Sequence, residues 1–324
     1  MASSGSITTN SYQNRSLTLS WSLASQSAEG NYSVINWALK GSGSASSWYM
    51  SGNFKAVING TTVYSSSTRI KLKNGTSVAS GSLRINHNSN GSKSFSLSCQ
   101  AGIYNVAVNC TASGTYTLNT IPRASTVTAG NVTLGNETSI TVSRASSSFT
   151  HTLSYTFGSE NGTIITKAAD TKVTWIPPVS LAGQIPNAAS GICTITCTTY
   201  NGSSAIGSKA CSITLFVPDD VKPTLESITA ERIDGDVPSS WGIYVKTKSK
   251  ALLSINGAAG AYGSSISSYS IEGGGYSGTD ETLTTGFLNN SGVITFTARV
   301  TDSRGRTSDP KSIEITVEDY ASLG

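Results

Sequence analysis

Ser16-Leu17-Thr18-Leu19-Ser20-Trp21-Ser22-Leu23 alternates without a break between small hydroxyls and large apolar residues. Successive side chains of a β-strand point to opposite faces, so this octet has one dry face and one wet face. The same period of two returns at Ser94-Phe95-Ser96-Leu97-Ser98-Cys99, at Cys193-Thr194-Ile195-Thr196-Cys197 and at Ile313-Glu314-Ile315-Thr316-Val317. No window sustains the three-and-four spacing of an amphipathic helix. The one helical expectation is a single turn over Pro178-Val179-Ser180-Leu181-Ala182, which proline can open. The pattern predicts an all-β chain of antiparallel sheets, each with one solvated face.

Turn signals punctuate the strands. Asn59-Gly60, Asn74-Gly75, Asn90-Gly91, Asn161-Gly162 and Asn201-Gly202 are each flanked by apolar or β-branched residues. Asn-Gly supplies the two positive φ angles of a type I′ turn, so each is expected to close a hairpin. Two proline-bearing polar stretches, Asn119-Thr120-Ile121-Pro122-Arg123-Ala124-Ser125 and Val217-Pro218-Asp219-Asp220-Val221-Lys222-Pro223, read as short linkers. They divide the chain into residues 1–120, 121–218 and 219–324, each the size of one sandwich. The expected fold is therefore a series of β-sandwich domains, jelly-roll or immunoglobulin-like. The third segment closes with Val293–Val300, a polar turn Thr301-Asp302-Ser303-Arg304-Gly305-Arg306, and Ile313–Val317, like the last hairpin of an immunoglobulin-like domain. Asp302 and Asp309 are expected to pair with Arg304 and Arg306 inside that loop. The ending at Asp319–Gly324 reads as a linker to a further domain.

Charged residues make up 12% of the chain, about half the usual share. The formal net charge of +4 is too small and too spread to be a nucleic-acid footprint. Arg69-Ile70-Lys71-Leu72-Lys73 alternates as a strand with a basic outer face. No apolar run reaches the length of a membrane span. Residues 1–30 lack the basic and apolar regions of a secretory signal, which leaves the cytoplasm or release by lysis within a virus particle.

Five cysteines fall on core faces by register, and an odd number without a signal peptide argues for buried thiols. Cross-strand pairing of Cys99 with Cys110 or of Cys197 with Cys211 stays open. Cys193 and Cys197 would lie about 13 Å apart along a strand, too far to chelate an ion.

Candidate chemistry is thin. His87 sits in a polar turn, and His151 shares a face with Phe149 and Leu153 as a structural imidazole. The two belong to different segments, so they form no metal site. Glu29 is the only carboxylate of residues 1–120, and the others are scattered among turns, with no pair of the glycosidase kind. Asp234-Gly235-Asp236 lacks the further ligands of a calcium loop. Gly273-Gly274-Gly275-Tyr276-Ser277-Gly278 opens no helix and reads as a flexible loop, not a phosphate cradle. No catalytic residue, metal or cofactor is expected, and the chain reads as no enzyme. Trp21 and Trp37 are in phase with core positions. Trp48 and Tyr49 follow a loop and cannot both face inward. With Asn53 they make the candidate ligand site, an aromatic platform for carbohydrate stacking, against the alternative that Trp48 packs over a sheet edge.

Trp48-Tyr49-Met50-Ser51-Gly52-Asn53-Phe54, Val57-Ile58-Asn59-Gly60 and the block Ile85–Phe95 resemble the first domain of siphovirus minor structural proteins, from phages of Gram-positive bacteria. Ile121–Ser125, Ser148–Leu153, Trp175-Ile176-Pro177-Pro178, Cys197–Gly202 and Thr301–Ser308 are similar to the parts that follow, ending in an immunoglobulin-like part. The family is one of unknown function. The resemblance implies a virion component, in the tail or a tail-associated fibre, with no catalytic residues to carry over. Its implied partners are other phage tail proteins and host cell-wall polysaccharide, with a homo-oligomer in the virion. No heptads declare its symmetry. Two other classes compete: a bacterial surface adhesin of immunoglobulin-like repeats, and a polysaccharide-degrading tail enzyme, which needs paired carboxylates.

Overall fold

The computed structural model describes residues 3–44, 48–50, 53–102, 108–235 and 237–320, with backbone alone at 48–50 and 234. In chain order the first segment contains β1 (Ser4–Thr8), β2 (Ser16–Ser27), β3 (Tyr32–Ser42), β4 (Trp48–Met50) and β5 (Phe54–Ile58). It continues with β6 (Thr61–Ser66), β7 (Ile70–Leu72), β8 (Ser77–Asn86), β9 (Ser94–Gly102) and β10 (Asn109–Thr117). One sheet has the order β1-β2-β3-β8 and the other β10-β9-β5-β6, while β4 and β7 form a separate ribbon. The period of two does what the sequence asks. Leu17, Leu19 and Trp21 of β2 face Phe95, Leu97 and Cys99 of β9 across one core. The Trp21 ring meets Phe95 edge-on at 4.9 Å between centroids and Tyr116 at 5.4 Å. Each fully buried side chain of this kind contributes about 1.5–3 kcal/mol.

The second segment contains β11 (Thr126–Ala129), β12 (Val132–Thr133), β13 (Thr138–Ser143), β14 (Phe149–Phe157), β15 (Glu160–Ala168) and β16 (Lys172–Trp175). A 3-10 turn at Val179–Gln184 follows Pro178, where the sequence places its one helical turn, and β17 (Ser190–Asn201) and β18 (Ser204–Phe216) close the sandwich. The third contains β19 (Ser227–Asp234), β20 (Tyr244–Val245), β21 (Ser249–Asn256), β22 (Ile266–Gly273), β23 (Tyr276–Gly278), β24 (Thr282–Thr284), β25 (Gly292–Asp302) and β26 (Lys311–Glu318). Sheet orders are β11-β13-β16 with β12-β18-β17-β14-β15, and β19-β21-β24 with β20-β26-β25-β22-β23. Strand for strand the two plans are the same. In each, a two-residue strand pairs in parallel with the last strand, β12 with β18 and β20 with β26. All other strand pairs are antiparallel, and three separate apolar clusters, one per sandwich, fill the chain.

Several local expectations change. Asn161-Gly162 is no turn: it lies inside β15, opposite Thr156 and Tyr155. The turn is Gly158-Ser159, with Gly158 at φ 60°. Gly162 is needed for space, because a Cβ there would lie 2.7 Å from the Tyr155 ring. Asn59-Gly60 is a true type I′ turn, with φ of 51° and 78°. The Gly273–Gly275 run is a tight hairpin between β22 and β23, Gly274 and Gly275 both having positive φ, and not a loose loop. All five cysteines are free thiols, four of them buried and Cys211 half-buried.

Candidate functional site

The chemistry of this chain gathers where its sandwiches meet. The stretch between β10 and β11 is pinned on both sides. Ile121 N donates to Gly91 O at 2.9 Å, and Gln26 Nε2 donates to Asn119 O at 2.9 Å. Arg123 lies over the Phe149 ring, 5.8 Å from its centroid, and its Nη1 donates to Ala28 O. Asn201, at the β17–β18 turn, donates to Glu29 O at 3.0 Å. Burial pulls the Arg123 guanidinium below its ordinary value.

Both histidines serve this first joint. His87 does not stand in an open turn. It is buried, with Nδ1 2.7 Å from Gly91 O and Nε2 2.7 Å from Ser33 Oγ. A carbonyl only accepts, so Nδ1 carries a proton, while the serine hydroxyl can either donate to or accept from Nε2. His151 is fully buried on the face of Phe149 and Leu153, as the alternation requires, with Nε2 2.9 Å from Ser125 Oγ. Ser125 N in turn donates to Thr199 Oγ1 at 2.9 Å. Burial, helped by the charge of Arg144, lowers the His151 pKa from 6.5.

Two serine–histidine contacts thus exist where the sequence shows none. Nucleophilic catalysis needs a serine that substrate can reach and a third group to orient the base. Ser33 and Ser125 are both buried. Among the described residues, Gly91 O is the only partner of His87 Nδ1, and His151 Nδ1 has none. The arrangement holds backbone in place.

The second joint turns on the loop between β25 and β26. Its charges were expected to satisfy one another, and they do so only in part. Arg304 reaches across to the second sandwich. Its Nη2 donates to Ala182 O at 2.9 Å and its Nε to Ile185 O at 3.3 Å, while Nη1 and Nη2 donate to Ala261 O at 2.6 Å and Tyr262 O at 2.9 Å. Four carbonyls, two from each sandwich, therefore share one guanidinium. Burial pulls its pKa below the ordinary guanidinium value, and the nearby Asp302 opposes the shift. Arg306 binds Val217 O at 2.6 Å and Val221 O at 3.1 Å, and Ser303 Oγ donates to Pro186 O at 2.7 Å. Asp309 pairs outside the loop, with Lys222 at 2.7 Å. Arginine suits this work because its planar fork presents five fixed donors.

The aromatic platform lies elsewhere, on the ribbon of β4 and β7. Trp48 is opposite Leu72, Tyr49 opposite Lys71 and Met50 opposite Ile70. The side chains of Trp48 and Tyr49 lie outside the described residues. Asn53 is exposed, with φ 54° in the left-handed region. Leu72 is 1% exposed and anchors the ribbon to the core, while Arg69, Lys71 and Lys73 face outward as the alternation predicts. An open depression of about 350 Å³ is lined by Lys71, Leu72, Lys73 and Thr76. The side chain of Asp234 and all of Asp236 lie outside the described residues. Among the described residues no group of three His, Cys, Asp or Glu is placed to hold a metal ion. No helix there is long and apolar enough to cross a membrane.

Among solved structures, this chain is similar to the fibronectin(III)-like modules of Clostridium thermocellum CbhA, at 15% identity over 60% of this chain and 95% of that one, with a TM-score of 0.25. It is similar to domains A168–A170 of titin, at 14% identity over 89% and 94%, TM-score 0.25. It is also similar to the full ectodomain, Ig1–Ig3, of mouse nectin-like molecule 4, at 14% identity over 87% and 97%, TM-score 0.27. No curated protein matches it. The family described as siphovirus protein of unknown function (DUF859) matches residues 5–323, and with that match across nearly its whole length the chain belongs to this siphovirus family.

Proposed function

We propose that this chain is a non-enzymatic structural protein of the phage tail or tail fibre. In this reading three serial modules, 1–120, 121–218 and 219–324, form a stiff spacer that presents a host-binding part and itself touches host cell-wall polysaccharide. One observation carries it: the guanidinium of Arg304 is sealed between two sandwiches and satisfies carbonyls of both. Neighbouring domains in a chain swing by default unless their interface is extensive or specific. A buried five-donor clamp opposes swinging, because bending would leave carbonyls without partners. The two buried Ser–His contacts support the non-enzymatic half, since each is used to fix backbone. Partners in this reading are other tail proteins and further copies of the chain, assembled in the host cytoplasm and released by lysis.

Gold-labelled antibody against the chain, applied to purified virions, tests the placement. Label on tails is expected, and virions without label overturn the reading. Incubation with purified host wall glycans is expected to yield no new reducing ends.

A further inference from the structure

A cleft of about 630 Å³ opens at the second joint. Asn136 lines it from the turn after β12, Val179 from the 3-10 turn, Pro218 and Asp220 from the connecting stretch, and Tyr262 from the third sandwich. The walls come from three parts of the chain, so the cleft exists only because the joint is fixed. Ligand pockets favour such places, and this volume is in their usual range.

Tyr262 is the feature that asks for an explanation. Its φ is 46°, a left-handed conformation that costs a bulky residue about 1–2 kcal/mol. The conformation is held from below, since Arg304 takes both the Tyr262 and the Ala261 carbonyls. The residue is nevertheless 45% exposed, so the strain is not relieved by full burial of the side chain. Backbone strain of this kind persists where surrounding structure over-determines it, and it gathers at ligand sites. Beside the ring stand two exposed polar side chains, Asn136 and Asp220, and neither has a hydrogen bond or ion pair among the described residues.

The lining selects a ligand class. Among the described residues no lysine or arginine lines the cleft, and Asp220 repels anions. A single carboxylate is too few for a metal ion. The cleft is open and mixed in polarity, which does not suit a wholly apolar molecule. What fits is a flat ring with one C–H face and a rim of hydroxyls. We propose that this cleft binds a neutral pyranose sugar or short oligosaccharide, with Tyr262 under its apolar face and Asn136 and Asp220 taking hydroxyls. The inference rests on the carbohydrate-binding part of the reading above, and it places the contact at the second joint, away from Trp48.

Saturation-transfer NMR on the full chain tests it, with chitotetraose and maltohexaose as probes at millimolar concentration. Binding of at least one probe is expected. Tyr262→Asn removes the ring while tolerating the left-handed backbone, and is expected to weaken binding about tenfold. Tyr262→Phe keeps the ring and is expected to bind as the parent does, as is Trp48→Ala. Binding untouched by Tyr262→Asn but lost in Trp48→Ala overturns the joint as the site and leaves carbohydrate binding standing. Neither probe bound by a chain whose melting curve is intact overturns the inference, and leaves the antibody result on virions to decide the tail reading separately.

Discussion

Arg304 and Asp302 lie two residues apart with no side-chain exposure, Nη1 3.8 Å from Oδ2. That separation is too long for a hydrogen bond, and each group bonds elsewhere. Asp302 accepts from Ser264 Oγ at 2.9 Å and from the backbone amides of Arg304 at 3.0 Å and Arg306 at 2.9 Å. The carboxylate thus shapes the loop and neutralises the arginine, while the arginine joins the sandwiches.

Breaking such a buried pair by removing one partner costs about 3–5 kcal/mol, because a charge is left unmatched. Arg304→Met is expected to destabilise by that amount and to separate the calorimetric unfolding of the second and third sandwiches. Lys222→Ala breaks only the exposed pair with Asp309, which solvent screens, and is expected to leave the melting curve close to that of the parent. Equal melting curves for the two variants would refute the clamp.

Glycines 60 and 91 share a positive φ, 78° and 82°, but not their surroundings. A Cβ on Gly60 meets nothing within 4 Å, whereas one on Gly91 strikes the Ile121 carbonyl of the first joint. Gly60→Ala is expected to cost about 1–2 kcal/mol for the left-handed backbone alone. Gly91→Ala adds displacement of the joint and is expected to cost clearly more in urea denaturation. A smaller cost at Gly91 would show that the stretch before Ser125 is slack.

His151 predicts an acid-side weakness. Its pKa is lowered on folding, so the unfolded chain binds the proton first. Stability is then full above the unfolded value of about 6.5 and falls as pH drops below it, until the folded group also protonates. The melting temperature is expected to decline between neutral pH and about pH 5, and His151→Gln to flatten that slope. Asp309 and Asp319, both held below 3.8 by lysines, act only in stronger acid and do not confuse the window. A slope unchanged in His151→Gln counts against the buried neutral imidazole.

The thiols should be inert. Burial pushes Cys99 and Cys193 up to about 11, and raises Cys110, Cys197 and Cys211 in the same direction. Only the thiolate attacks an alkylating reagent. At mildly alkaline pH the folded chain is expected to remain almost unmodified by mass, Cys211 reacting first as the least buried. In denaturant all five should react. Rapid modification of the native chain would mean that the cores open.

The sandwiches could be read from the chain because one face of each strand is dry, and Leu17, Phe95 and Ile315 are all buried as alternation demands. Pairing order was not legible. Two segments with different residues fold to one plan, since period two says which side a residue faces and nothing about its neighbour strand. The joints were hidden for another reason. An arginine that binds main-chain carbonyls leaves no partner residue to find, so Arg304 and Arg306 looked self-sufficient beside Asp302. Asn161-Gly162 misled because Gly162 serves the Tyr155 ring and not a turn. Among the residues of the aromatic platform, only Asn53 has a described side chain, and its exposure and left-handed φ were not legible in the alternation.

The parallel pairing of β12 with β18 has a mechanical consequence. Val132 lies against Leu215 and Thr133 against Phe216, and the flanking bonds Leu134 N to Phe216 O and Thr214 N to Asn131 Oδ1 extend that short ladder. The polypeptide passes through β11, which pairs with β13, before it reaches β12, and it leaves the sandwich just after β18. Once β11 has yielded, tension on the two ends drags β12 and β18 in opposite directions along their length, so the bonds of this ladder are loaded together in shear and do not unzip one by one.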